Sequence, residues 1–212
     1  MEQHSLKHHT SNSCAPIETR NSPRSSRGFS LVEVLISIVI LTIGVLGMVG
    51  MQAASIRANR EAKLQSTAIV LARELAEMMR GNRAIGVAAA ASNPYLVTTM
   101  TATTPSYCLN VANGTCANAT EIANAEMTEW LARVNAELPG ARVVSCYDAT
   151  PFDSSGLPQW ACTGTGAIAV IKMGWTRRST DLTAKGASAL ELTSDSTSSP
   201  SIVVPVTAGS SI

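Results

Sequence analysis

The sequence predicts an α+β protein, with one long N-terminal helix packed against a C-terminal antiparallel sheet. Three observations carry this expectation. An apolar run begins at Phe29, and the chain then passes into three- and four-residue spacing with no proline before Ala91. A second helical face runs from Ile122 to Leu138, opened by Asn118 and Glu121 and closed by Pro139-Gly140. Beyond it, four β-prone runs alternate with clusters of Gly, Pro, Ser and Asp. With 212 residues the chain has room for one ordinary domain plus an anchoring segment. Its 16 Lys and Arg against 15 Asp and Glu leave a net charge of +1, so no overall basic field exists and no nucleic-acid partner is expected.

Taken in order, Met1 to Gly28 is polar throughout, with Lys7, Arg20, Arg24 and Arg27 against Glu2 and Glu18. It has no apolar run and is not an ordinary secretory signal. Phe29 to Ile56 follows with Glu33 as its only charge, longer than the ~20 apolar residues a helix needs to cross a bilayer. Arg24 and Arg27 precede this span and Arg57 and Arg60 follow it, so flanking charge alone does not orient it. The helical pattern continues through Leu64, Ala68, Leu71, Leu75 and Met78, and Gly81-Asn82 supplies a stop. Arg57 and Glu61, like Arg73 and Glu77, lie four apart, where opposite charges add tenths of a kcal/mol. One helix is therefore expected from about Phe29 to Met79, roughly 75 Å at 1.5 Å per residue. Its second half has to pack on a globular domain. Gly44, Gly47 and Gly50 suit close helix packing in the membrane, although each weakens the helix by about 1 kcal/mol relative to alanine.

Glu33 stands out on physical grounds. A carboxylate at the bilayer centre costs roughly 2.5–3.5 kcal/mol on the insertion scale, less near the interface, so an acid kept there marks a partner. At the helix start it can also reach the headgroups and complement the helix dipole. We expect that resting position in the membrane and a functional partner after it.

The string RGFSLVEVLISIVIL, starting at Arg27, resembles the class III signal of type IV pilins and pseudopilins, with glycine at the cut, an aromatic first mature residue and glutamate as the fifth. The resemblance implies cleavage by a prepilin peptidase between Gly28 and Phe29, N-methylation of the Phe29 amine, and pairing of Glu33 with the N-terminal amine of a neighbouring subunit. It implies a pilin fold with residues 1–28 as a cytoplasmic leader, 29–56 as the transmembrane half of the helix, 57–83 as its periplasmic half, and 84–212 as an exported domain. The helix-kinking proline of many major pilins is absent here. From Arg27 to Ala84 the resemblance is closest to the minor pilins. That implies a role in initiating pilus assembly in the inner membrane, with other minor pilins, the major pilin, the prepilin peptidase and the assembly machinery as partners. A pseudopilin of type II secretion is the alternative.

In the exported part, Ala84 to Thr120 reads as a long loop region with short elements. The β-prone runs are Ala141 to Tyr147, Ala167 to Thr176, Ala189 to Thr193 and Ile202 to Val206, with Pro205 putting the last on an edge. Cleavage would remove Cys14 and leave Cys108, Cys116, Cys146 and Cys162, for which an exported compartment favours disulfides. Four cysteines permit three connectivities; nearest-neighbour pairing, Cys108–Cys116 and Cys146–Cys162, closes two short loops. A zinc site is disfavoured, because no C-x-x-C spacing is present and no metal is expected. His4, His8 and His9 all lie in the leader, which excludes a histidine-based catalytic machine from the mature chain; no cofactor motif stands out. Asp148, Asp153 and Asp181 read as turn and surface residues, and Lys172, Arg177 and Arg178 as a small solvated basic group. The Asn113 and Asn118 sequons carry little weight.

Overall fold

The computed structural model describes residues 28–110, 112, 114–179, 183–195 and 197–209. The leader with its histidines and Cys14, and also Asn113 and Asp181, lie outside the described residues. The chain divides into two units, Met1–Gly50 and Met51–Ile212. Helix α1, Leu31–Gly81, belongs to both. In the first unit every described residue from Gly28 to Gly50 is exposed, and the helix is long and apolar enough to cross a membrane.

In the second unit, α1 buries Ala68, Leu71, Ala72, Leu75, Ala76 and Met79, a stripe at three- and four-residue steps. Leu64 and Met78, expected on that face, flank it and are only partly buried. The ion pairs expected four apart on α1 do not form. Glu77 instead pairs with Arg80 three residues on, Glu61 accepts from the Trp175 indole at 3.2 Å, and Glu74 binds Arg133. Arg133 belongs to the second long helix, so that pair links two elements.

After α1 come a four-residue helix, α2 (Arg83–Gly86), and a loop with one 3-10 turn at Ala90–Ser92. Gly86 is required where it stands, since a methyl group there would sit 2.3 Å from the Met79 carbonyl oxygen. Helix α3, Ala119–Glu137, starts as its sequence predicts: the Asn118 side chain accepts from the Glu121 amide at 2.9 Å. Glu121 reaches back to the Ala117 amide at 2.7 Å, a capping box displaced outward by one residue. Trp130 is fully buried and donates its indole N–H to the Leu71 carbonyl of α1 at 3.0 Å. That bond satisfies the only polar atom of the largest core side chain.

Strands β1 (Arg142–Tyr147), β2 (Ala169–Gly174) and β5 (Ile202–Val206) form an antiparallel sheet in the order β1-β2-β5. Val143 faces Met173 and Ser145 faces Ile171 across the first pair, while Ile171 faces Val204 across the second. Val143, Ala169, Ile171, Met173 and Val206 join the core with the α1 stripe and α3. Pro205 lies on an edge strand, as expected. The run Ala167 to Thr176 was expected as one strand, but β2 stops at Gly174. Trp175 turns into the core, and the Thr176 amide bonds the Pro139 carbonyl at 2.7 Å. The chain resumes as β3 (Arg177–Arg178), which pairs with β4 (Leu190–Glu191) in a separate two-stranded ladder. The run Ala189 to Thr193 therefore does not enter the main sheet.

Candidate functional site

At the N-terminal junction, Gly28, Phe29 and Ser30 precede the helix, and the Val34 amide bonds the Ser30 carbonyl at 3.2 Å to close its first turn. Glu33 lies in that turn, where free backbone amides make the helix end positive and favour a carboxylate. Phe29 is 83% exposed, and a continuous surface of Leu, Val, Ile and Met side chains follows it. Two hydroxyls of this stretch are satisfied within the helix: Ser37 donates to the Glu33 carbonyl at 2.7 Å and Thr42 to the Val39 carbonyl at 2.8 Å. A helix that meets its own hydrogen-bonding needs is suited to hydrocarbon. Around Gly44, Gly47 and Gly50 an added methyl group would meet no atom within 4 Å, so packing at these positions would involve a helix from another molecule.

In the second unit the cysteines pair as Cys108–Cys116 and Cys146–Cys162. The second disulfide joins β1 to a segment that lies over the outer face of β2. Two expectations are corrected there. Asp148 is not a surface turn residue, and Lys172 is not part of a solvated basic group. Both side chains are fully buried, with Lys172 Nζ 2.5 Å from Asp148 Oδ2 and donating also to the Ala161 carbonyl. Asp148 Oδ1 accepts from the amides of Thr150 and Thr163 at 3.0 and 3.3 Å and from the Thr163 hydroxyl at 3.2 Å. Burial alone would raise the Asp148 carboxyl, but the Lys172 ammonium and these two amides outweigh it and hold it below the usual carboxylate range. The charges persist in the interior because almost every donor and acceptor around them is used.

Cys146, Asp148 and Cys162 also gather their ligand atoms within 4.8 Å of one another. Both sulfurs are consumed by the disulfide and the carboxylate by Lys172, so this group is a structural clasp. Asp153 behaves as predicted, its Oδ1 accepting from the Ser155 and Leu157 amides in a turn. Arg177 pairs with Glu191 at 2.7 Å, while Arg178 is exposed. Tyr95 is buried with its hydroxyl 2.5 Å from Glu126, and burial together with that carboxylate raises its ionisation well above the ordinary tyrosine value.

Two family models match, end to end. A prokaryotic N-terminal methylation motif covers residues 23–49, and the family described as type IV pilin Tt1218 covers residues 50–128. No curated protein and no solved structure matches the chain. The first match holds Gly28, Phe29 and Glu33; the second runs along the buried stripe of α1 and ends within α3. The sheet and the Cys146–Cys162 clasp lie beyond both. A methylation motif that leads directly into a pilin domain along one helix, with an antiparallel sheet packed on that helix, identifies the chain as a member of the type IV pilin-like family, whose members are structural subunits.

Proposed function

We propose that this pilin is a minor pilin of the type IV pilus modification class, matured by prepilin peptidase cleavage after Gly28 and N-methylation at Phe29. In this reading residues 1–28 are a cytoplasmic leader, 29–56 span the inner membrane, and 57–83 and the domain 84–212 are periplasmic. The subunit joins other minor pilins and the major pilin at the inner-membrane machinery and promotes the start of fibre assembly. The observation that carries the reading is Glu33 in the first turn of an otherwise apolar, fully exposed helix segment. An acid there is costly in lipid and is relieved when a neighbour's new N-terminal amine approaches it.

Glu33→Val tests this directly. The variant is expected to insert and to mature to the shorter mass but to be missing from sheared pilus fractions. Normal incorporation would refute the role of Glu33. Deleting the chain is expected to reduce surface pili; unchanged piliation with a loss of protein secretion would instead favour a type II secretion pseudopilin.

A further inference from the structure

We propose that a pocket between α1 and β3 binds the phosphate headgroup of an anionic phospholipid in the membrane leaflet on the exported side. The pocket has a volume of about 430 Å³, and Arg57, Arg60, Arg177 and Arg178 all line it, against the single acid Glu61. Its apolar wall is formed by Leu64, Pro139 and Leu190. Two of the five charges are already engaged. Arg177 pairs with Glu191, and Glu61 accepts from Trp175. Arg57, Arg60 and Arg178 form no ion pair among the described residues, and all three are exposed.

Position along the chain selects the ligand. Arg57 directly follows Ile56, the last residue of the apolar run, and Arg60 lies one turn further on, about 4.5 Å along the helix axis. Headgroups occupy roughly 5–7 Å beyond the hydrocarbon on each side, so both guanidiniums fall at phosphate depth. The second pair of arginines arrives from a different part of the chain. The break after Gly174 and the Thr176–Pro139 hydrogen bond redirect β3 to this site. Arginine is depleted in exported segments flanking a span, so Arg57 and Arg60 directly after it run against the usual bias. A phosphate diester offsets them, since its oxygens match the guanidinium fork, and the apolar wall suits the glycerol backbone and first methylenes. The inference rests on the proposed anchoring of residues 29–56.

The test uses the full chain in membranes of phosphatidylethanolamine and phosphatidylglycerol, extracted in mild detergent, with retained lipid read by native mass spectrometry. Wild type is expected to keep phosphatidylglycerol selectively. Arg60→Gln with Arg178→Gln should lower that retention about 25-fold, at roughly fivefold for each arginine. The control, Lys63→Gln with Lys185→Gln, removes the same charge from residues outside the pocket and should leave it unchanged. Equal retention of both lipids by wild type, or equal losses in the two double variants, overturns the proposal. A pocket variant that keeps its phosphatidylglycerol yet disappears from sheared filaments overturns it in favour of an acidic face on a neighbouring subunit. Alkaline carbonate extraction of the same membranes reads anchoring separately. Release of the chain would bring down the anchoring and the lipid site together, whereas a retained chain without lipid preference brings down the lipid site alone.

Discussion

Replacing Lys172 with methionine tests the buried clasp, because it removes the ammonium while keeping a side chain of similar length. Asp148 would keep the three donors on Oδ1 but lose the one partner that Oδ2 has among the described residues, and the Ala161 carbonyl would lose its lysine donor. Removing one member of a buried ion pair costs about 3–5 kcal/mol. A second route to the magnitude agrees. The stranded carboxylate can escape by taking up a proton, which at pH 7 costs at most about 1.4 kcal/mol for each of the roughly three pH units above an ordinary value near 3.9, or ~4 kcal/mol. The pH dependence has a definite sign. In the wild type the Asp148 carboxyl is depressed, so its contribution is fully present above the ordinary value and is lost as the pH falls through the folded one. In the variant burial acts without the cation that opposes it, so the carboxyl is expected to rise and the penalty to shrink as the solution is acidified. Near pH 4.5 the carboxylate part falls below about 1 kcal/mol, leaving mainly the unpaired Ala161 carbonyl. The assay is urea unfolding of the full chain in detergent micelles, followed by tryptophan fluorescence at both pH values. A loss under about 1 kcal/mol at pH 7, or a loss that does not change with pH, would refute the reasoning. Adding Asp148→Asn to the variant keeps an acceptor for the three donors without a charge and is expected to recover most of the stability.

Three further outcomes are expected. Ser145→Ala should raise the urea midpoint by an amount equivalent to about 1 kcal/mol, because the buried Ser145 hydroxyl has no hydrogen-bond partner among the described residues and its removal relieves a desolvation cost; a lower midpoint would show that the hydroxyl is satisfied. Replacing Cys108 and Cys116 by serine should cost about 2.5 kcal/mol from an eight-residue separation, and replacing Cys146 and Cys162 about 3 kcal/mol from a separation of 16, plus a further loss as the segment holding Asp148 and Lys172 loosens. Equal costs for the two pairs would separate the disulfide from the clasp. Gly28→Glu should leave the chain at its unprocessed mass by intact-mass spectrometry and keep it out of pili, and a variant that still matures would overturn cleavage at this junction.

The helices were legible in the sequence because their determinants are local. The stripe from Ala68 to Met79 repeats at the helical period, and the Asn118 and Glu121 pair names the start of α3. The sequence placed the stripe one residue off at its edges, favouring Leu64 and Met78 over the smaller Ala72 and Ala76. Hydrophobicity ranks side chains by size, whereas burial follows the angle that each position takes around the helix, so small Ala72 and Ala76 are buried along with Met79. Strand existence was similarly legible, but strand membership was not. Nothing in the run Ala167 to Thr176 says that its last residues leave the sheet, because the cause is the distant Pro139 carbonyl that captures the Thr176 amide.

The same distinction explains why Lys172 was misread. Along β2, Ile171 and Met173 belong to the core shared with the helices, so strict alternation assigns Val170 and Lys172 to the opposite face and, for a sheet with one covered side, to water. All six residues of β2 are nevertheless buried, because the segment tethered by Cys146–Cys162 covers that second face and brings the Ala161 carbonyl with it, while Asp148 arrives from the end of β1. A lysine between isoleucine and methionine in a central strand is the one local sign that a countercharge waits on the far side. Its partner is separated by 24 residues, and the pairing of β1 with β2, which sets Asp148 just past the Tyr147–Ala169 pair, brings the two together. The methylation motif matched at residues 23–49 was readable for the opposite reason. Such a motif is a linear segment whose residues stay adjacent in sequence, whereas a clasp that stabilises a fold is defined only once the fold exists.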